Sequence, residues 1–212
     1  MNEIIFGGRF QPFHNGHFFT LKYLSENYDR VIMGLVFVPD IFGYEDLKGS
    51  TLSPAKNPLT FLERFEIITE VLKNNSIKNV IIFPLIPYLS SGIFKTFSSF
   101  LPQKRRWFVA INSSEEKEQV EKFYKKIGDD IVAEVFQKQN EFPGKVIRRN
   151  ILESKSWKHL VPIEVYNYLQ KINIKERLQK LYEQFGDEIY SNETTKIIDF
   201  EKLLKDKISN KI

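Results

Sequence analysis

The amino-acid sequence predicts an α/β fold, a doubly wound parallel sheet with a C-terminal helical extension, from three observations. Short apolar runs recur at residues 3–6, 30–38, 79–83, 107–111 and 130–136, and most of them do not alternate with polar residues. Non-alternating apolar strands are those buried on both faces, as in a parallel sheet covered by helices. The segments between them read as helices, which gives βαβ order. After about residue 140 the texture becomes helical, with a charged, Leu-spaced tail.

Taken in order, the strand at 3–6 leads through a glycine-bearing turn into a helix over 17–27. The strand at 30–38 is followed by a long loop, 39–57, that contains Gly43, Gly49 and Pro54. Loops of that length are often functional, so this one is a candidate lid. The helix over 59–73 is the best marked: Thr60 and Glu63 form a capping-box pattern, and Phe61, Phe65, Ile68 and Leu72 repeat at helical spacing. Shorter helices are predicted at 93–100 and 114–127. The second half supplies helices at 146–153 and 162–171 and a tail from 174 onward. In that tail Leu178, Leu181 and Tyr182 are expected to face the body, with Lys175, Glu176, Lys180 and Glu183 in water. The order predicts a Rossmann-like core over residues 1–140 and a helical subdomain over 141–212. Ligands of such sheets bind beyond the carboxyl ends of the strands, which places the loop after Phe6 at the site.

Composition narrows the function. A chain of 212 residues with 42% hydrophobic residues and 19 Phe can bury a substantial core. The net charge of +4, from 31 basic and 27 acidic residues, is too mild to require nucleic acid, and it suits a small anionic substrate. Lys104, Arg105 and Arg106 form a short basic triplet that a solvated face explains, so no nucleic-acid partner is expected. The most apolar segment, 80–89, is short and broken by Pro84 and Pro87, and residues 1–8 carry no leader pattern. No membrane partner is expected, and a cytoplasmic location is the simplest reading. The absence of cysteine removes disulfides, thiolate metal sites and cysteine nucleophiles.

The most informative segment is Gly7-Gly8-Arg9-Phe10-Gln11-Pro12-Phe13-His14-Asn15-Gly16-His17. Two glycines admit close backbone approach, and two histidines stand at a helix start whose free amides attract phosphate. The bland reading is a turn capped by two histidines. The functional reading gains from context, because two of the three histidines fall here beside Arg9, at the switch point of the sheet. A zinc site is less well supported, since His14 and His17 lack an obvious third ligand.

Gly8 to His17 resembles the His-x-Gly-His signature of the nucleotidyltransferase superfamily, in the form typical of archaeal-type nicotinamide mononucleotide adenylyltransferases. Asn57-Pro58-Leu59-Thr60 with Glu63-Arg64 resembles that family's Asn-Pro-Phe-Thr…Glu-Arg helix start. Gly144-Lys145-Val146-Ile147-Arg148-Arg149 resembles its Ser-Gly-Thr-x-Ile-Arg motif, and 157–162 continue the likeness. The resemblance implies transfer of a nucleoside monophosphate from a nucleoside triphosphate, ATP or CTP, to a phosphate-bearing acceptor, with Mg2+ accompanying the triphosphate. Nicotinamide mononucleotide is the favoured acceptor and ATP the favoured donor.

Carried over position by position, His14, His17 and Arg9 are the catalytic candidates. Gly7, Gly8, Phe10, Gln11 and Gly16 would shape the nucleotide pocket, together with Gly144, Lys145, Ile147 and Arg148. On the acceptor side the candidates are Asp40, Ser91 and Phe94, of which Phe94 is the best-aligned position. The chain departs from the pattern in three places. Pro143-Gly144-Lys145 replaces Ser-Gly-Thr, so two hydroxyl donors are missing and Lys145 supplies charge instead. Phe94 stands where a stacking Trp is usual. Residues 36–40 replace a Gly-Ser-Ala-Gln stretch, which resembles a divergent, cytidylyltransferase-like branch. A cytidylyltransferase or adenylyltransferase for another phosphate or phosphonate, and a nucleotide-binding regulator that has lost catalysis, are therefore the alternatives. The family resemblance also leaves room for a homo-oligomer.

Overall fold

In the computed structural model, residues 1–37, 44–85, 101–102, 104–111, 117–118, 120–122, 130–135, 144–190 and 209 are described. Five strands, β1 (Glu3–Gly8), β2 (Arg30–Val36), β3 (Val80–Leu85), β4 (Arg106–Ile111) and β5 (Asp130–Val135), form one sheet in the order β3-β2-β1-β4-β5. Every pairing is parallel. Alternate residues explain why the sequence reads as unbroken apolar runs. Ile4, Phe6, Val31 and Met33 enter the larger core, while Ile5 and Ile32 face the opposite layer with Trp107 and Leu101. β1 sits between β2 and β4, where the winding direction reverses, so the loop that follows it opens at the carboxyl edge of the sheet.

Helix α1 (Asn15–Asn27) follows β1, and the short α2 (Tyr44–Leu47) and α3 (Phe61–Asn74) follow β2. The expected capping box is present on α3: Thr60 Oγ1 accepts from Glu63 N at 3.2 Å, and Glu63 Oε2 accepts from Thr60 N at 2.8 Å. The buried stripe differs from the expected one. It runs through Arg64, Ile67, Ile68, Val71 and Leu72, whereas Phe65 is 38% exposed. The helix is turned because Arg64 points inward to three backbone carbonyls, which carries Ile67 and Val71 to the sheet. Phe65 instead stacks on Phe61.

The second half supplies α4 (Gly144–Leu152), α5 (Ile163–Lys171), α6 (Ile174–Phe185) and a 3-10 turn at Gly186–Tyr190. Their buried residues Ile147, Val165, Leu169, Leu178 and Ile189 join the same apolar cluster as β1, β2 and α3. Each fully buried Ile or Leu there contributes about 1.5–3 kcal/mol. Polar contacts fix the angle of docking: Arg177 makes two bonds to the Glu63 carboxylate, at 2.7 and 2.8 Å, and Asn74 donates to Glu164. Leu178 faces the body as expected, but Tyr182 is 44% exposed and pairs with Tyr190 at the surface. The 3-10 turn folds back beside α6 and takes the place that Tyr182 was expected to fill. The expected helix at 93–100 lies outside the described residues, as does most of that at 114–127. No described helix is long and apolar enough to cross a membrane.

Candidate active site

The loop between β1 and α1 is held from three sides. Phe10 has φ of 51°, in the left-handed region that costs a non-glycine residue about 1–2 kcal/mol. Its buried ring lies so close over Gly8 that a Cβ there would approach it to 2.8 Å, and it meets Phe6 and His17 edge-on. The Gln11 side chain pairs with the Leu59 backbone in both directions, donating to Leu59 O at 2.8 Å and accepting from Leu59 N at 2.9 Å. Arg64 donates to Arg9 O and Val36 O, both at 2.7 Å, and so ties the loop after β1 to the end of β2. Burial pushes the Arg64 guanidinium down to about 10, against the opposing pull of Glu63.

The two histidines form the cap of α1. His14 is the N-cap, its Nδ1 accepts from His17 N at 3.4 Å, and His17 Nδ1 accepts from His14 N at 3.3 Å. This is a capping box built from imidazoles, with the rings stacked at 3.5 Å. A ring nitrogen that accepts an amide proton cannot carry its own, so each neutral ring holds its proton on Nε2. Burial pushes His14 down to about 3. His17 is held well below the usual imidazole range by burial, by His14 and by Arg9. Both rings are therefore neutral Nε2–H donors near pH 7. The bland reading and the functional one coexist, since each histidine caps with one nitrogen and keeps the other.

Two joined compartments open over this cap. The first, about 230 Å³, is lined by Arg9, Gln11, Pro12, His14, His17 and, from distant segments, Thr51, Lys56, Gly144, Lys145 and Arg148. The second, about 420 Å³, lies over the switch point against Gly7, Gly8, Val36, Leu85, Trp107 and Val109. Arg9, Phe10, His17 and Thr51 border both. The first is basic and the second largely apolar, a division that suits a charged tail and a flat ring.

Arg148, 6% exposed, is steered by backbone: Nη1 donates to Gln11 O at 2.6 Å, and Nε and Nη2 donate to Ile189 O at 3.2 and 3.0 Å. Of its five N–H groups two remain beyond these bonds. Burial, and then Arg9, push it down to about 9. Gly144 is required by packing, because a Cβ there would lie 2.8 Å from Gln11 O. Arg9 Nη1 donates to Thr51 O at 2.6 Å.

Most of the expected residues meet here, with three differences. Gln11 is committed to Leu59 and shapes the cleft through its position. Ile147 is fully buried in the core, so its side chain seats α4 and does not line the cleft. Gly16 is buried in the first turn of α1, where its carbonyl accepts from Thr20 Oγ1. Asp40, Ser91 and Phe94 lie outside the described residues. Sequence reasoning missed Thr51, Lys56 and Trp107 as cleft residues. The available signal for the first two was their place in the long loop; Trp107 stands near the amino end of β4, and nothing local points from there to the cleft. Of the candidate lid, the described part from 44 is tied down: Asn57 Nδ2 donates to Thr51 O and Ser53 O, and Glu188 accepts from Tyr44 and Gly49.

The cytidylyltransferase-like family model matches residues 5–209 of the chain. The nicotinamide-nucleotide adenylyltransferase of Methanococcus maripaludis is 28% identical over 194 residues, 85% of this chain and 96% of that protein. The protein of the same name from Thermococcus kodakarensis is 28% identical over 182 residues, 84% of this chain and 87% of that protein. The structure of a bifunctional NMN adenylyltransferase/ADP ribose pyrophosphatase from Francisella tularensis superposes with a TM-score of 0.62 at 20% identity, across 97% of this chain. It shares the fold, and this chain spans only 56% of its length. A match that runs alike through the sheet, the paired histidines and the returning C-terminal helices makes this chain a member of the cytidylyltransferase-like family.

Proposed function

We propose that the protein is an adenylyltransferase that moves AMP from ATP onto nicotinamide mononucleotide, giving NAD and pyrophosphate. The observation that carries this reading is the junction of the two compartments at His17. A basic trough fit for a triphosphate, with His14 in its lining, meets an apolar wall fit for a planar ring, with the His17 Nε2–H donor between them. Relatives at 28% identity bearing the adenylyltransferase name support the choice of ATP and nicotinamide mononucleotide.

In this reading an acceptor phosphate oxygen attacks the α-phosphorus in line. The new P–O bond forms as the bond to the bridging β-phosphate oxygen breaks, and pyrophosphate takes the electron pair. Positioning and charge stabilisation do most of the work. Arg148 and Lys145 hold the β and γ phosphates, Arg9 lies beside the transferring group, and His14 and His17 donate to its oxygens as charge builds. Neutral donors suit the place, because the trough already carries Arg9, Lys56, Lys145 and Arg148 and two more cations would repel them. Among the described residues no group of three His, Cys, Asp or Glu could hold a metal ion. Magnesium fits as part of the substrate, bound by phosphate oxygens and water.

A second reading, transfer of CMP from CTP to another phosphate or phosphonate, is favoured by the family model and by Lys145 at a position where a hydroxyl is usual. Pyrophosphate release with magnesium, ATP and CTP tested separately against nicotinamide mononucleotide and a panel of such acceptors, decides. Release only with CTP or another acceptor moves the protein to the second reading. Tight nucleotide binding with no release under any pairing marks a regulator.

A further inference from the structure

The C-terminal 3-10 turn touches both walls of the basic trough without lining it. The Glu188 carboxylate accepts from Tyr44 Oη at 2.9 Å and from Gly49 N at 3.1 Å. The adjacent residue, Ile189, turns its carbonyl the other way and accepts two N–H groups of Arg148. The Ile189 side chain is fully buried, and Phe185 stacks on the Tyr44 ring at 4.3 Å, so the turn is anchored at both ends. What Glu188 holds in turn reaches the cleft. The segment after Gly49 presents Thr51 O to Arg9 at 2.6 Å and brings Lys56, 3% exposed, to the trough wall. Burial alone would push the Glu188 carboxyl up; the Ser53 hydroxyl, the bonds from Gly49 N and Tyr44 Oη, and the nearby Lys56 ammonium outweigh that and hold it below the usual carboxylate range. In the apolar compartment, Gly7, Leu85, Trp107 and Val109 are held by the sheet itself.

We infer that the turn at 186–190 is a clasp that sets the triphosphate end of the cleft, with Glu188 a positioning residue for the nucleotide and not for the acceptor. This rests on the nucleotidyl-transfer reading above. Two neighbouring residues, one by its carboxylate and one by its carbonyl, bring the 44–56 segment and Arg148 into register across more than a hundred residues of chain. Shifting the turn moves Thr51, Lys56 and Arg148 together, whereas it leaves the sheet-borne wall in place.

The test uses the full chain with magnesium: calorimetric affinity for ATP and for CTP, KM for each substrate, and melting temperature, for Glu188→Ala, Glu188→Gln and Tyr44→Phe. Loss of two hydrogen bonds to a charged acceptor predicts that Glu188→Ala weakens nucleotide affinity about tenfold, with the acceptor KM within about twofold and kcat within about threefold. Glu188→Gln, which keeps an acceptor oxygen, loses about threefold, and Tyr44→Phe about twofold to threefold. The Glu188→Ala/Tyr44→Phe pair is no worse than Glu188→Ala alone, because both act through one contact. A lowered melting temperature with unchanged nucleotide affinity overturns the inference, as do equal losses for nucleotide and acceptor. Should Glu188→Ala not fold, Tyr44→Phe decides, since it removes only a hydroxyl. Wild-type protein that binds neither nucleotide overturns the reading of the cleft itself. Tight wild-type binding that Glu188→Ala leaves intact overturns the clasp alone.

Discussion

Two helices of this molecule begin with the same reciprocal cap, made from different residues. On α3 Thr60 and Glu63 exchange side-chain bonds for backbone N–H groups; on α1 His14 and His17 do so. The Thr60–Glu63 cap is exposed, and the carboxylate serves a second structural purpose by holding Arg177 of α6. The histidine cap opens on the cleft, and after capping each ring still has an Nε2–H to offer. A carboxylate in that geometry would present oxygens that repel phosphate, and a hydroxyl would leave a single rotating O–H. Imidazoles cap with longer bonds, 3.3 and 3.4 Å, and present donors. One local motif thus yields stability in one place and chemistry in another, according to which atoms are left over.

The largest expected effect separates the two caps by turnover. His17→Ala should lower kcat about 10²–10³-fold, the loss seen when a donor to developing charge is removed, while nucleotide affinity changes only a few-fold. Equal losses in both would show that His17 merely binds. The double variant His14→Ser/His17→Glu sharpens the contrast, because it rebuilds a conventional box. It should keep most of the melting temperature and lose turnover to at least the same degree; an active double variant would leave the histidines with capping alone.

Acid should distinguish the caps next. The histidines have depressed folded pKa values, so their contribution is fully present above about pH 6.5 and is lost as the pH falls toward about 3, where His14 protonates in the folded state. Between those limits His14 alone costs about 1.4 kcal/mol per pH unit. Urea titrations from pH 7 to 4 should show that decline, and the decline should shrink in His14→Ala. In NMR spectra the His14 and His17 ring signals should not titrate between pH 8 and 5. A midpoint near 6.5 for either would mean that the stacked pair is open to water.

Lys145→Ala is expected to weaken triphosphate affinity about tenfold, the share of one charge-assisted contact, with kcat little altered. Wild-type affinity would identify Lys145 as a surface residue. The smallest effect belongs to the structural cap: Thr60→Ala should cost about 1 kcal/mol of unfolding free energy and leave kcat unchanged. Lost turnover there would mean that α3 transmits more to the cleft, through Arg64, than its cap suggests.

What could be read without coordinates was local. Every expected strand is present within two residues at each end, because buried parallel strands advertise themselves as short apolar runs. The capping box on α3 and the loop from Gly7 to His17 were equally legible, since their partners lie within a few residues. Wherever a partner is distant, spacing failed. On α3 Ile68 and Leu72 are buried as expected, but Phe65 is displaced from the stripe because Arg64 turns inward to Arg9 and Val36, 55 and 28 residues away. Gln11 lines the cleft as expected, but nothing near it in sequence points to the partner that fixes it, Leu59, 48 residues on.

The sequence by itself therefore determined the sheet, the helix starts and the pair of histidines at the switch point, all products of short-range periodicity and capping. Only the tertiary structure decided which cations share the trough. It brought Lys56 in from the loop after β2, and it aimed Arg148, which the family resemblance already places at the nucleotide pocket, with a carbonyl 41 residues farther on. The reason is that a buried guanidinium must find its acceptors wherever the fold presents carbonyls, and chain order does not constrain that choice.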